Sequence, residues 1–137
     1  RVLITVLLAC LSFYVLIAPS TPYARPWGWG SRDAVDGARL DARTSIGKDA
    51  SVRASASMLT LLAQRQLLYP LDPATFRDAS RAAATATHGV DVVIVDRHDL
   101  GHATRTQEVG FELAVVQRGF VKRSDDLGIV VFVRRGH

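Results

Sequence analysis

The chain opens with an uncharged apolar run that limits what the rest can be. Residues 2–18, VLITVLLACLSFYVLIA, contain no charged side chain and are followed by Pro19. These 17 residues would span roughly 26 Å as an α-helix, and a bilayer core takes about 20 residues, within a range of about 17–25. We therefore predict a transmembrane helix at residues 1–18. Its short length, with Arg1 in place of an initiator Met, favours a truncated helix in a piece of a longer protein.

Three other interpretations of this run stay open. A secretory signal peptide has an apolar stretch of about 7–15 residues before a small-residue cleavage site, and Pro22-Tyr23-Ala24 is a poor match to such a site. A buried core helix and a lipoprotein signal, with Cys10 as the lipid-attachment residue, are the other two. We favour the membrane anchor, because Tyr and Trp prefer the membrane–water interface and cluster near the end of the run: Tyr14, Tyr23, Trp27 and Trp29.

Composition divides the remaining chain into a linker and one domain. Residues 19–31 contain three prolines and two Trp-Gly steps, which disfavour both helix and strand. Residues 32–137 are long enough for a single soluble domain. The 17 Lys and Arg residues are scattered among 13 Asp and Glu residues, and no basic run is interleaved with aromatics. We therefore expect a solvated surface rather than a nucleic-acid interface.

Helix and strand candidates alternate through this domain. We expect helices at residues 32–45, from Ser55 or Ser57 to Arg65, at 74–87 and at 104–118, and strands at 51–54, 66–70, 90–96, 120–124 and 129–135. In the last helix, Val109, Leu113 and Val116 are spaced to face the core, with Phe111 as a further candidate. The alternation predicts an α/β fold with a three-layer, mostly parallel sheet and a C-terminal antiparallel hairpin.

Polar side chains follow the strongest strand candidate. Ligands of an open α/β sheet bind outside the carboxyl ends of its strands, and Asp96 ends the apolar segment 90–96. Together with His98, Asp99 and His102 it could ligate a metal or supply general acid–base catalysis. The spacing matches no standard zinc pattern, and no orienting partner for either His is evident. We therefore expect neither a metal nor a cofactor, and we favour a polar surface loop in which Asp96 caps the strand end.

Ser55 and Ser57 lie where a strand candidate meets a helix candidate. A helix N-terminus there could bind an anion, and the simpler interpretation is helix capping. The chain contains neither GxGxxG nor GxxxxGK[ST], which argues against a standard nucleotide-binding domain.

Three stretches carry a resemblance to a known family: VRASASMLTLLAQRQLLYPLD (52–72), VDVVIVD (90–96) and GFVKRSDDLGIVVFVRR (119–135). They resemble the C-terminal part of a family of predicted polytopic bacterial membrane proteins of unknown function. That family is similar to the integral-membrane glycosyltransferases that use lipid-linked sugars. The positions that fit the family pattern are Val52, Ala54, Met58, Leu62, Arg65, Tyr69, Asp96, Gly119 and Phe120. The chain departs from the pattern at Ala56-Ser57, where the family has a polar pair, and at Leu61, where it has a His.

The resemblance implies a last transmembrane helix followed by a small extracytoplasmic α/β domain in the inner or plasma membrane. In such transferases the catalytic carboxylate lies in an early loop between membrane helices, so this piece would position substrate or play an auxiliary part. Membrane lipid is the expected partner, with a lipid-linked sugar reached through the membrane part. The ligand-binding candidates are Ser55, Ser57, Arg65, Asp96 and His98.

Two alternatives remain open at this point. One is a single-span binding module for a small molecule or an envelope partner. The other is an independent hydrolase or metal enzyme that uses Asp96, His98 and His102.

Overall fold

A mixed five-stranded sheet is the centre of the computed structural model, which describes residues 33–101 and 103–136. The strands are β1 (Val52–Ala54), β2 (Leu68–Pro70), β3 (Val92–Asp96), β4 (Phe120–Asp126) and β5 (Ile129–Arg134). Their order across the sheet is β2-β1-β3-β5-β4. Strands β2, β1 and β3 are parallel, whereas β5 pairs antiparallel with both β3 and β4. The α/β class and the C-terminal hairpin are therefore confirmed, but the sheet is mixed where the sequence predicted a mostly parallel one.

Helices cover both faces of this sheet. They are α1 (Ala34–Thr44), α2 (Ala56–Leu62), α3 (Ala79–Thr87) and α4 (Arg105–Gln117), with short 3-10 helices at Pro73–Arg77 and Arg97–Leu100. Helices α1 and α2 pack on the face that carries Val92 and Ile94. Helices α3 and α4 pack on the face that carries Val93 and Val95. Because β3 is buried on both faces, it needs an apolar residue at each of these four positions.

The helix predicted at 74–87 is two elements. The Asp72 side chain caps the 3-10 helix by accepting a hydrogen bond from Ala74 N. Asp78 then adopts an extended conformation and caps α3, where its carboxylate accepts a 3.0 Å hydrogen bond from Arg81 N. An N-cap residue lies outside the helix that it starts, so Asp78 ends one element and begins the next.

The side of helix α4 that packs on the core is opposite to the predicted one. Val109, Leu113 and Val116 are 43%, 59% and 36% exposed, whereas Phe111 and Val115 are buried. The helix has apolar residues at helical spacing on two sides, so spacing alone could not select the buried one. Burying Phe111 removes the larger apolar surface from water, and Gly110 on the same helix lets α3 approach closely. A Cβ at Gly110 would lie only 3.2 Å from the Ala79 Cβ.

None of the helices within residues 33–101 and 103–136 is long and apolar enough to cross a membrane. The predicted transmembrane helix at residues 1–18 and the predicted linker at residues 19–31 lie outside the described residues.

Candidate functional site

The strand order creates a crevice between the carboxyl ends of β1 and β3. The chain leaves β1 through α2 to reach β2 on one side, then returns through α3 to β3 on the other side of β1. Because the chain leaves β1 toward α2 on one face and β3 toward α4 on the other, the two connections part at this topological switch point, where ligands bind in open α/β sheets. Ser55 follows β1, and Asp96 ends β3.

Asp96 is the centre of a hydrogen-bonded cluster in this crevice, and it is 0% exposed. Its Oδ2 accepts bonds from Arg39 Nε at 2.9 Å and from Ser57 Oγ at 2.7 Å, and Arg39 Nη2 lies 2.8 Å away. Its Oδ1 accepts a bond from His98 N at 2.9 Å and contacts His98 Nδ1 at 2.8 Å. Both carboxylate oxygens are therefore bonded to groups of the chain itself.

This environment keeps Asp96 ionised. Burial alone would raise the pKa of Asp96, but hydrogen bonds from Ser57, Arg39 and His98 outweigh burial and hold that pKa below its ordinary value. The hydrogen bond to Asp96 likewise raises the pKa of Arg39. A carboxylate so strongly held in its charged form is a weak base, so Asp96 orients its neighbours instead of exchanging protons.

The two predicted serines reach the crevice in different ways. Ser55 joins β1 to β3, since its N donates to Ile94 O at 3.1 Å and its Oγ accepts from Asp96 N at 3.0 Å. Ser57 N donates instead to Asp99 Oδ2 at 2.7 Å. The sequence analysis considered an anion site at the start of α2. The Asp99 carboxylate of the chain itself occupies that position.

His98 has the orienting partner that the sequence did not reveal. With the proton assigned to Nδ1, the ring donates to Asp96 and leaves Nε2 as an acceptor. The side chain is 52% exposed and lies against Gly128, where a Cβ would be 3.1 Å from His98 Cε1. Such a pair is suited to general acid–base chemistry. Ser57, however, donates to Asp96 and not to His98, so the three do not form a nucleophile–base–orienter series.

A groove of about 460 Å³ lies beside this cluster. Asp99, which holds Ser57 N, lines it together with Arg77 and Thr104, and Phe76 and Leu100 form its apolar part. The volume falls within the range of about 300–1,000 Å³ that is usual for small-molecule sites. We call this the carboxyl-edge groove.

Arg65 lies elsewhere. It precedes β2, at the amino ends of the parallel strands, and its guanidinium donates to Ile46 O at 3.0 Å and to Gly47 O at 2.5 Å. The structure therefore brings together four of the five predicted residues, namely Ser55, Ser57, Asp96 and His98. It adds Arg39, which the sequence analysis did not single out.

Within residues 33–101 and 103–136, no group of three or more His, Cys, Asp or Glu side chains is placed to hold a metal ion. His102 lies outside the described residues. No family model, curated protein or solved structure matches the chain, so the membrane-protein resemblance stays a prediction.

Proposed function

We propose that this chain is the C-terminal part of a polytopic, glycosyltransferase-like membrane protein. In this proposal residues 1–18 contain its last membrane helix, and residues 32–137 form an extracytoplasmic domain that positions substrate without reacting with it. The apolar run and the three stretches that resemble the family support the membrane placement.

The hydrogen bonding of Asp96 supports the positioning role, because both of its carboxylate oxygens are already bonded within the chain. A carboxylate that attacks a substrate or takes its proton must turn an oxygen toward it. Both oxygens of Asp96 are instead bonded to Arg39, Ser57 and His98. The cluster thereby holds Ser57 and His98 in fixed orientations, and Asp99, which accepts the bond from Ser57 N, lines the groove and gives it a rigid support.

The lining of the carboxyl-edge groove favours an uncharged, hydroxyl-rich ligand. Arg77 supplies donors and Asp99 supplies an acceptor, and the apolar part of the lining includes the buried Phe76. A cation and a carboxylate that line the same groove suit the hydroxyls of a sugar, which donate and accept together. We therefore propose the sugar part of a lipid-linked sugar as the ligand, with its lipid in the membrane part of the parent protein.

Saccharide binding by the full chain tests this proposal. The chain is kept in amine-oxide detergent micelles, which contain neither sugar nor phosphate, and a panel of neutral monosaccharides and disaccharides is screened by saturation-transfer NMR. We expect at least one saccharide to bind, and Arg77→Gln or Asp99→Asn to weaken it about fivefold or more, as loss of a hydrogen bond to a charged group should. Arg81→Gln, on the exposed side of α3, is the matched control. Binding by none of the panel, or equal binding by all variants, would contradict the proposal.

The gene itself separates the polytopic protein from the single-span alternative. A reading frame upstream of the Arg1 codon that encodes several apolar spans would support the first. A start codon just upstream would favour a single-span binding module instead.

A further inference from the structure

A second groove, at the amino ends of the parallel strands, collects positive charge that the proposed function does not use. It has a volume of about 490 Å³ and lies between the end of α1 and the end of α2. Both helices lead into strands there, so the groove is at the opposite edge of the sheet from Asp96. Its cations are Arg43, Lys48 and Arg65, and its apolar residues are Ile46, Leu61 and Leu62. We call it the basic groove.

The positive charge of the basic groove is not balanced by ion pairs. Arg65 donates to main-chain carbonyls in residues 46–50, which are uncharged acceptors. Among the described residues, the salt bridges include neither Arg43 nor Lys48. Burial, and then the charge of Arg43, lower the pKa of Arg65, against the opposing attraction of Asp49. Arg43 and Arg65 therefore repel one another across the groove.

The same contacts fix the shape of the basic groove. Arg65 ties down the loop that carries Lys48 by bonding to Ile46 O and Gly47 O. Lys48 lines the groove from this loop, and Arg43 lines it from the last turn of α1. A loop whose backbone is held in position before binding loses less entropy when a ligand arrives.

We propose that the basic groove binds a phosphate group that carries an apolar substituent. Arg43 and Lys48 supply charge-assisted hydrogen bonds, which are the strong ones for phosphate. Phosphate fits better than a single carboxylate because its charge at neutral pH is closer to that of the three cations. Half-buried Leu61, in front of buried Ile46 and Leu62, provides the surface that an apolar substituent would cover.

Calorimetric titration of the full chain in amine-oxide micelles tests this proposal with three probes: butyl phosphate, inorganic phosphate and butanol. We expect butyl phosphate to bind more tightly than inorganic phosphate, and butanol not to bind. The double variant Arg43→Gln/Lys48→Gln should weaken butyl phosphate about tenfold or more. Arg118→Gln, an exposed arginine at the end of α4, should leave the affinity unchanged.

Each result decides one part of the proposal. Equal affinities for the two phosphates would identify a site for free phosphate and overturn the apolar part, whereas a preference for butyl phosphate supports a ligand such as a lipid headgroup. Absence of phosphate binding, or unchanged binding by the double variant, would overturn the site. Arg43 and Lys48 are exposed, so folding should persist, and Lys48→Gln alone repeats the measurement with one loop side chain changed. Saccharide binding at the other edge is independent of every one of these results.

Discussion

The two edges of the parallel strands use charged side chains in opposite ways. At the carboxyl edge, Arg39 bridges Asp36 and the fully buried Asp96. At the amino edge, Arg65 is bonded only to carbonyl groups, and Arg43 lies near enough to lower its pKa. One edge neutralises its charges internally, and the other keeps a net positive charge facing a groove.

The difference separates charges that hold the fold from charges that are free for a ligand. A buried carboxylate is tolerated only when it is paired and hydrogen-bonded, so Asp96 depends on Arg39, Ser57 and His98. Exposed, unpaired cations gain little within the fold and are released from mutual repulsion when an anion binds. We therefore expect substitutions at the carboxyl edge to affect stability first, and substitutions at the amino edge to affect binding first.

The largest effect should come from Asp96→Asn. This change keeps the shape but removes the charge that Arg39 faces, and it places an amide donor among the donors of Ser57 and His98. We expect the free energy of unfolding to fall by about 3 kcal/mol or more, measured by urea denaturation of the full chain in micelles with far-UV circular dichroism. Asp126→Asn, an exposed carboxylate in the same hairpin as Gly128, should change it by less than about 0.5 kcal/mol. A loss below about 1 kcal/mol for Asp96→Asn would show that this cluster does not hold the edge together.

Protonation of Asp96 in acid should lower the free energy of unfolding by no more than Asp96→Asn does. The pKa of Asp96 is lowered in the folded chain, so its contribution is complete above the unfolded value of about 3.9 and is lost as pH falls through the folded value. The pKa values of Glu112 and Asp125 are also lowered, since hydrogen bonds from Arg97 and Lys122 outweigh their burial. The unfolding free energy of the unchanged chain should thus decline below about pH 4.

Comparing the unchanged chain with Asp96→Asn shows how much of the decline in unfolding free energy at low pH is due to the Asp96 carboxylate. Unfolding measured at pH 7, 5, 4 and 3 should show a shallower decline for the variant, because one of the titrating groups is gone. Equal slopes for both chains would mean that Asp96 is not the group that links acid to stability.

Much of the fold was predictable because its signals are local. The adjacent β-branched residues at 92–95 are typical of a strand covered on both faces, and Gly128 lies in the turn of the predicted hairpin. The side of α4 that is buried was not predictable, because Val109 and Phe111 belong to two apolar stripes and only the packing of α3 against Gly110 selects between them. The interruption at Asp78 was also missed, since a capping residue inside a helix-forming segment does not change the apolar spacing.

The candidate site was predictable only where strand ends define it. Asp96 ends β3, so the general rule for α/β sheets pointed to it, whereas Ser55 was singled out separately, at a strand-to-helix junction. Arg39 lies 57 positions from Asp96 in the chain, and no local pattern indicates such a contact. Arg65 was grouped with the site because of the resemblance, but it precedes β2 and therefore lies at the opposite edge.

The smallest effects should come from the amino edge, where Arg65→Gln and Arg43→Gln form a matched pair. Arg65→Gln removes the bonds to Ile46 O and Gly47 O, and we expect a loss of about 1.5 kcal/mol in the free energy of unfolding. Arg43→Gln removes an exposed charge with no ion-pair partner among the described residues and relieves repulsion, so the change should stay within about 0.5 kcal/mol. The same urea denaturation measures both. If Arg43→Gln lowered the free energy of unfolding as much as Arg65→Gln, the Arg43 side chain would stabilise the fold, and its charge would not be available for a ligand.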